Sequence, residues 1–227
     1  MPSDPQAVLL DLDGTLVDTE GAWWRAVAAV AATLGRRLGA NDVPHVRGRT
    51  AADAAAHLLP AAASGAVSGV VSGAASGAAS GAVSEAVGAL AERLVDAFAE
   101  RLGRDGVPVM PGALELLSDL AAASIPTALV SASPRRVVEL VLPCLRHSFH
   151  VVVADGEAAR GKPHPDPYLE AARRLGADPR RCVAVEDSPA GVAAATAAGC
   201  RVLVAGPEGP PSLAGIRACL AASRGAL

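Results

Sequence analysis

The chain has 227 residues, enough for one large domain or a domain carrying a sizeable insertion. Its 23 acids against 20 bases give a net charge of −3, which leaves no basic footprint for nucleic acid, and 2% aromatics leave no stacking platform for single strands. Alanine is the largest part of the 51% hydrophobic share. No run approaches the roughly 18 apolar residues of a spanning helix, so no membrane partner is expected.

The opening MPSDPQ has no basic stretch followed by an apolar one, so no secretory leader is expected. Short apolar runs then alternate with helical spacing through most of the chain. The runs AVLLDLD (7–13), IPTALVSAS (125–133), FHVVVAD (149–155), RCVAVED (181–187) and CRVLVAG (200–206) read as strands. Residues 113–123, 135–145, 166–176 and 190–199 read as the helices between them. Near-continuous apolar strands separated by helices predict a parallel sheet covered on both faces. The alternation fails between about residues 18 and 107, where 21–39, 50–59 and 84–103 all read helical, an insertion after the first strand. Within it, 64–87 is a Ser-Gly-Ala repeat whose composition predicts a flexible or marginally helical state. Trp23 and Trp24 read as packing residues of the first inserted helix. The last stretch, 212–227, reads as a helix over the sheet edge. None of Cys144, Cys182, Cys200 and Cys219 forms a C-x-x-C pair, which predicts a reduced, cytoplasmic protein with Cys182 in the core.

Four clusters fall at strand ends, where an α/β sheet builds its site. In Asp11-Leu12-Asp13-Gly14-Thr15, side chains two apart on a strand point the same way, so both carboxylates aim into one space. They must share a proton or bind a cation. In Ser131-Ala132-Ser133-Pro134, Ser131 reads as an anion contact and Ser133 as a helix cap. In Gly161-Lys162-Pro163-His164-Pro165-Asp166, Lys162 supplies a point charge suited to a phosphoryl oxygen, His164 reads as a loop residue and Asp166 as a helix cap. Glu186-Asp187-Ser188 completes an oxygen-rich cage with Asp11 and Asp13. Hard oxygen donors without His or Cys favour Mg²⁺ over zinc.

In this order, DLDGTLVDTE, VSASP, GKPHPDPYL and VEDSPAGVAAATAAG resemble the haloacid dehalogenase-like hydrolase superfamily, most of all its sugar-phosphate phosphatase and β-phosphoglucomutase branch. The resemblance covers about residues 7–20 and 108–206. It implies an α/β fold, a Rossmann-like core of residues 1–17 and 108–227, with an inserted α-helical cap domain over 18–107. It also implies roles. Asp11 would be the nucleophile and Asp13 the general acid and base. Ser131 and Lys162 would hold the transferring phosphoryl group. Asp11, the Asp13 carbonyl and Asp187 would bind Mg²⁺ with Glu186 in support. Thr15, Glu20, Arg49 and Ala132 are the candidates for substrate contacts, Arg49 from the segment VRGRTAAD (46–53). The activity implied is phosphatase on a small phosphorylated metabolite, with a phosphoglucomutase-like isomerase or a non-catalytic metabolite-binding protein as alternatives. Oligomeric state stays open.

Overall fold

Four consecutive residues without solvent exposure, Ala7–Leu10, form the first strand and set the architecture. A strand apolar at every position must be covered on both faces and paired on both edges. The structure, a computed structural model, describes residues 4–59 and 75–222. Its sheet consists of β1 (Ala7–Leu10), β2 (Thr127–Pro134), β3 (Val151–Asp155), β4 (Cys182–Glu186) and β5 (Arg201–Val204), all parallel, in the order β3-β2-β1-β4-β5. Val8 sits opposite Thr127 on one side and Val183 on the other. The chain runs outward from β1 to β2 and β3, then crosses to β4 on the other side. That reversal opens a crevice beyond the carboxyl ends of β1 and β4.

By internal contacts the chain divides into two units, the described residues of Met1–Thr19 with Val107–Leu227 and those of Glu20–Gly106. In the first, Leu9, Val130, Val153 and Ala184 pack with Tyr168, Ala171, Ala194 and Ala195 from the crossover helices. Cys182 and Cys200 belong to the same core. The helices follow the sequence pattern closely: Ala113–Ala122, Arg135–Leu145, Asp166–Leu175, Pro189–Ala197 and Leu213–Ala222. Asp166 does not cap its helix. Pro165 occupies the N-cap, and the Asp166 carboxylate is instead taken by the Arg160 guanidinium through bonds of 3.0 and 3.1 Å.

The second unit is helical, with Glu20–Thr33, Val43–Val46, Ala51–Leu58 and Ala75–Asp105. Val27, Val30, Val46, Ala54, Leu58, Leu90 and Leu94 form its core, and both tryptophans pack against it. Trp23 meets Phe98 edge-on at 5.3 Å between centroids and donates its indole N–H to the Val46 carbonyl at 2.9 Å. Residues 64–74 of the repeat lie outside the described residues. Residues 75–87 take the helical alternative and form the first turns of a 31-residue helix. Leu90, Leu94, Phe98 and Leu102 recur every fourth residue and are at most 5% exposed. Packed turns of that kind bear the cost of nucleation, so the repeat has only to propagate the helix. Among the described residues no helix is long and apolar enough to cross a membrane.

Two predictions follow from the burial of particular side chains. Burial pushes the Cys182 thiol up to about 11 and the Cys200 thiol up to about 12, whereas Cys144 and Cys219 are half-buried. A thiol reagent at pH 8 should therefore label only Cys144 and Cys219 in the native protein and all four cysteines after denaturation. The second concerns Thr127, whose Oγ1 lies 2.9 Å from His147 Nε2 and whose N–H donates to His150 Nδ1 at 3.2 Å. Burial, then the neighbouring His150, holds the His147 imidazole below its ordinary value of 6.5. The unfolded chain thus binds the proton more readily, so stability from the neutral ring is full above pH 6.5 and is lost as pH falls below it. The urea midpoint should drop between pH 8 and pH 5.5, and drop less in His147→Gln.

Candidate active site

β1 ends at Leu10, and the chain turns sharply at Gly14, whose φ is 88°. A Cβ on Gly14 would collide with the Asp187 carboxylate, so only glycine lets the two segments approach so closely. The turn is closed by Leu16 N–H to Leu12 carbonyl at 2.9 Å and Gly14 N–H to Val17 carbonyl at 2.8 Å. Because the strand stops before Asp11, strand alternation does not continue to Asp13. Asp11 is 5% exposed and accepts from Lys162 Nζ at 2.6 Å. The Asp13 carboxylate is instead gripped by three hydroxyls: Thr19 at 2.5 Å, Ser133 at 2.8 Å and Ser131 at 3.2 Å. Hydroxyls can donate to a carboxylate or rotate to accept from a carboxyl, so this setting accommodates both protonation states.

Ser133 is therefore not a helix cap. Pro134 holds the cap position of Arg135–Leu145, and the Ser133 hydroxyl is spent on Asp13. Ser131, 4% exposed, accepts the Ser133 N–H at 2.9 Å while donating to Asp13. Ala132, between them, is exposed at the strand end. Thr15 is fully buried and donates to Asp187 Oδ1 at 3.4 Å.

Glu186 has no solvent exposure and accepts five donors. Its Oε1 takes Lys162 Nζ at 2.5 Å and the Tyr168 hydroxyl at 2.7 Å. Its Oε2 takes the N–H groups of Asp187 and Ser188 at 3.1 and 3.2 Å and the Ser188 hydroxyl at 3.0 Å. Ser188 also caps Pro189–Ala197 by accepting the Gly191 N–H at 3.0 Å. One hydroxyl thus ties the start of that helix to the buried acid.

Lys162 is the hub. Its side chain is 6% exposed and its three N–H groups go to Asp11, Glu186 and, at 3.0 Å, the Val130 carbonyl. Its ammonium also stands 5.3 Å from the centroid of the Tyr168 ring, within cation–π range. Burial opposes the lysine charge, but Asp11 and then the Tyr168 and Glu186 oxygens outweigh it and hold the ammonium well above the usual lysine range. Burial, then the charge of Glu186, drives the Asp11 carboxyl well above the carboxylate range even though Lys162 pulls it down. In both cases several acids face a single ammonium. Burial likewise pushes the Tyr168 phenol up, which keeps it a donor.

That excess of negative charge is what a divalent cation offsets. Asp11, Glu186 and Asp187 each offer a carboxylate oxygen, and these lie within 4.8 Å of one another, so hard oxygen donors of the kind Mg²⁺ takes are present. Glu186 already accepts five donors, which fits it to support the cluster and leaves Asp11 and Asp187 as the better placed carboxylates. Glu20 and Arg49 belong to the helical unit. There Glu20 opens the first helix and pairs with Arg47 at 3.5 Å, while exposed Arg49 donates to the Pro44 carbonyl at 3.1 Å. Sequence reading did not single out Thr19, Ser133 as an Asp13 partner, or Tyr168. Only Tyr168 carried a signal, as the one tyrosine of the chain.

A family model described as haloacid dehalogenase-like hydrolase matches residues 5–199. Hexitol phosphatase B of Escherichia coli is 33% identical over 211 residues, covering 91% of this chain and 86% of that protein. The bifunctional riboflavin kinase/FMN phosphatase of Arabidopsis thaliana is 29% identical over 199 residues, 86% of this chain and 47% of that protein, so the chain spans about half the length of that relative. A solved structure of a CbbY variant from Rhodobacter sphaeroides in complex with xylulose-(1,5)bisphosphate shares 25% identity and a TM-score of 0.72, covering 88% of this chain and 86% of that one.

Gly191 faces the buried acid so closely that a Cβ there would collide with the Glu186 carboxylate, whereas a Cβ on Gly88 of the long helix meets nothing within 4 Å. The two alanine substitutions should therefore differ in sign. Gly191→Ala is expected to cost about 1–3 kcal/mol through overpacking. Gly88→Ala is expected to stabilise by up to about 1 kcal/mol through helix propensity. Urea unfolding of the two variants checks both.

Proposed function

The chain belongs to the haloacid dehalogenase-like hydrolases, and from that premise we propose that it is a Mg²⁺-dependent phosphatase acting on a small phosphomonoester of the sugar-phosphate class. The observation that carries the reading is the buried Asp11–Lys162–Glu186 chain, with bonds of 2.6 and 2.5 Å, set beside Asp187 at the switch point of the sheet. Phosphoryl transfer needs mainly positioning and charge stabilisation, and this arrangement supplies both. The hexitol phosphatase relative and the bisphosphate-bound CbbY structure support a polyol or sugar phosphate as the substrate class.

Asp11, the backbone carbonyl of Asp13, and Asp187 would hold the ion, with Glu186 supporting them. Once bound, the ion neutralises charge on Asp11 and on the phosphoryl oxygens. Lys162 compensates the remaining charge, and Ser131, together with backbone N–H groups near Ala132 and Thr15, orients the phosphoryl group. A carboxylate oxygen of Asp11 attacks phosphorus as the bond from phosphorus to the leaving oxygen breaks, and Asp13 gives that oxygen its proton. Water then attacks the aspartyl-phosphate at phosphorus. Asp13 takes a proton from the water, the bond to Asp11 breaks, and inorganic phosphate leaves. Thr19 and Ser133 keep Asp13 aimed through both steps. Glu20 and Arg49, exposed or partly so in the helical unit, are the proposed contacts to the rest of the substrate.

Phosphate release should be measured over a panel of sugar phosphates, hexitol phosphates and small phosphomonoesters. Release should require Mg²⁺, stop on chelation, and fall roughly a thousandfold or more in Asp11→Asn. Turnover only with an added sugar bisphosphate and little net phosphate would instead favour an isomerase. No release from any ester would contradict the phosphatase reading.

A further inference from the structure

Every N–H of the Lys162 ammonium is already spent, on Asp11, Glu186 and the Val130 carbonyl. An ammonium has three donors and no more. If Lys162 is to hold a phosphoryl oxygen, the role that the family resemblance implies for it, one present partner must be released. Asp11 is the attacking group and needs its charge balanced until the new bond forms. The Val130 carbonyl is a main-chain acceptor of the strand that carries Ser131. Glu186 is the partner with donors to spare, but it is fully buried, and a buried carboxylate oxygen stripped of its donor carries a heavy desolvation penalty.

Tyr168 removes that penalty. Its hydroxyl lies 2.7 Å from Glu186 Oε1, the same oxygen that Lys162 holds. Its ring packs in the core with Ala171, Val153 and Ala184, and has no solvent exposure, so the hydroxyl cannot swing away. We infer that Tyr168 is a positioning residue: it stays on Glu186 when Lys162 turns an N–H to the phosphoryl oxygen, and so lets the lysine exchange partners. The ring, 5.3 Å from the ammonium, supports Lys162 in both positions. The Oε2 side of Glu186 keeps its three donors from Asp187 and Ser188 throughout.

This inference rests on the phosphatase reading, and the test separates the two. Binding of inorganic phosphate with Mg²⁺ is measured by calorimetry for the wild type, Tyr168→Phe and Val153→Ala, alongside thermal midpoints and steady-state kinetics. Tyr168→Phe keeps the ring and deletes only the hydroxyl. It should bind phosphate about tenfold more weakly, with KM raised in parallel and the thermal midpoint close to wild type. Val153→Ala removes volume from the same core without touching Glu186. It should lower the midpoint and leave phosphate affinity and KM unchanged. Wild-type phosphate affinity in Tyr168→Phe overturns the inference, as does weakened affinity in both variants that simply tracks the loss of stability. Wild-type protein that neither binds nor releases phosphate overturns the phosphatase reading, and the inference with it.

Discussion

A single ammonium joins two buried carboxylates at the point where the sheet reverses its order. Lys162 reaches from a loop after β3 to Asp11 after β1 and Glu186 at the end of β4, and takes the Val130 carbonyl of β2 on the way. Removing one member of a buried ionic set leaves an uncompensated charge, which is far costlier than the set is stabilising. The residues around it are fixed by that demand. Gly14 and Gly191 are glycines because a Cβ would strike Asp187 or Glu186, and Ser188 must cap a helix and hold Glu186 with one hydroxyl.

The set is arranged so that charge remains to be balanced. Glu186 is saturated by five donors and Lys162 by three acceptors, yet the Asp11 carboxyl is still driven upward by burial and by Glu186. Chemistry that adds a cation and a phosphoryl group meets this site at its point of electrostatic need. Asp13 sits in a different environment a short distance along the chain, held by hydroxyls instead of an ammonium. Two acids separated by one leucine thus receive distinct surroundings, one facing an ammonium among other acids and the other facing three hydroxyls.

Much of the sheet was legible because burial on both faces writes itself as uninterrupted apolar residues, as in Ala7–Leu10 and in residues 182–185. The carboxyl ends of those strands were equally legible, since acids and hydroxyls interrupt the apolar runs there. What could not be read were contacts that depend on the folded chain. Ser133 meets Asp13 across 120 residues and Tyr168 meets Glu186 across 18, and no local pattern encodes either. Asp166 and Ser133 were misread for the same reason: each looks like a cap in sequence, and each is claimed in the fold by a distant or neighbouring partner that local rules do not weigh. For residues 75–87 composition left two states open, because it says nothing of the packed turns, from Leu90 onward, that extend the helix through them.

The central claim is that Asp11 carries the phosphoryl group. Acid quenching of the enzyme during turnover of a phosphomonoester with Mg²⁺, followed by borohydride reduction and peptide mass spectrometry, tests it directly. Reduction of an acyl phosphate converts the acid to homoserine, and the account predicts homoserine at position 11. Steady phosphate release with an intact Asp11, or with the reduced residue at Asp13, Glu186 or Asp187, would contradict it.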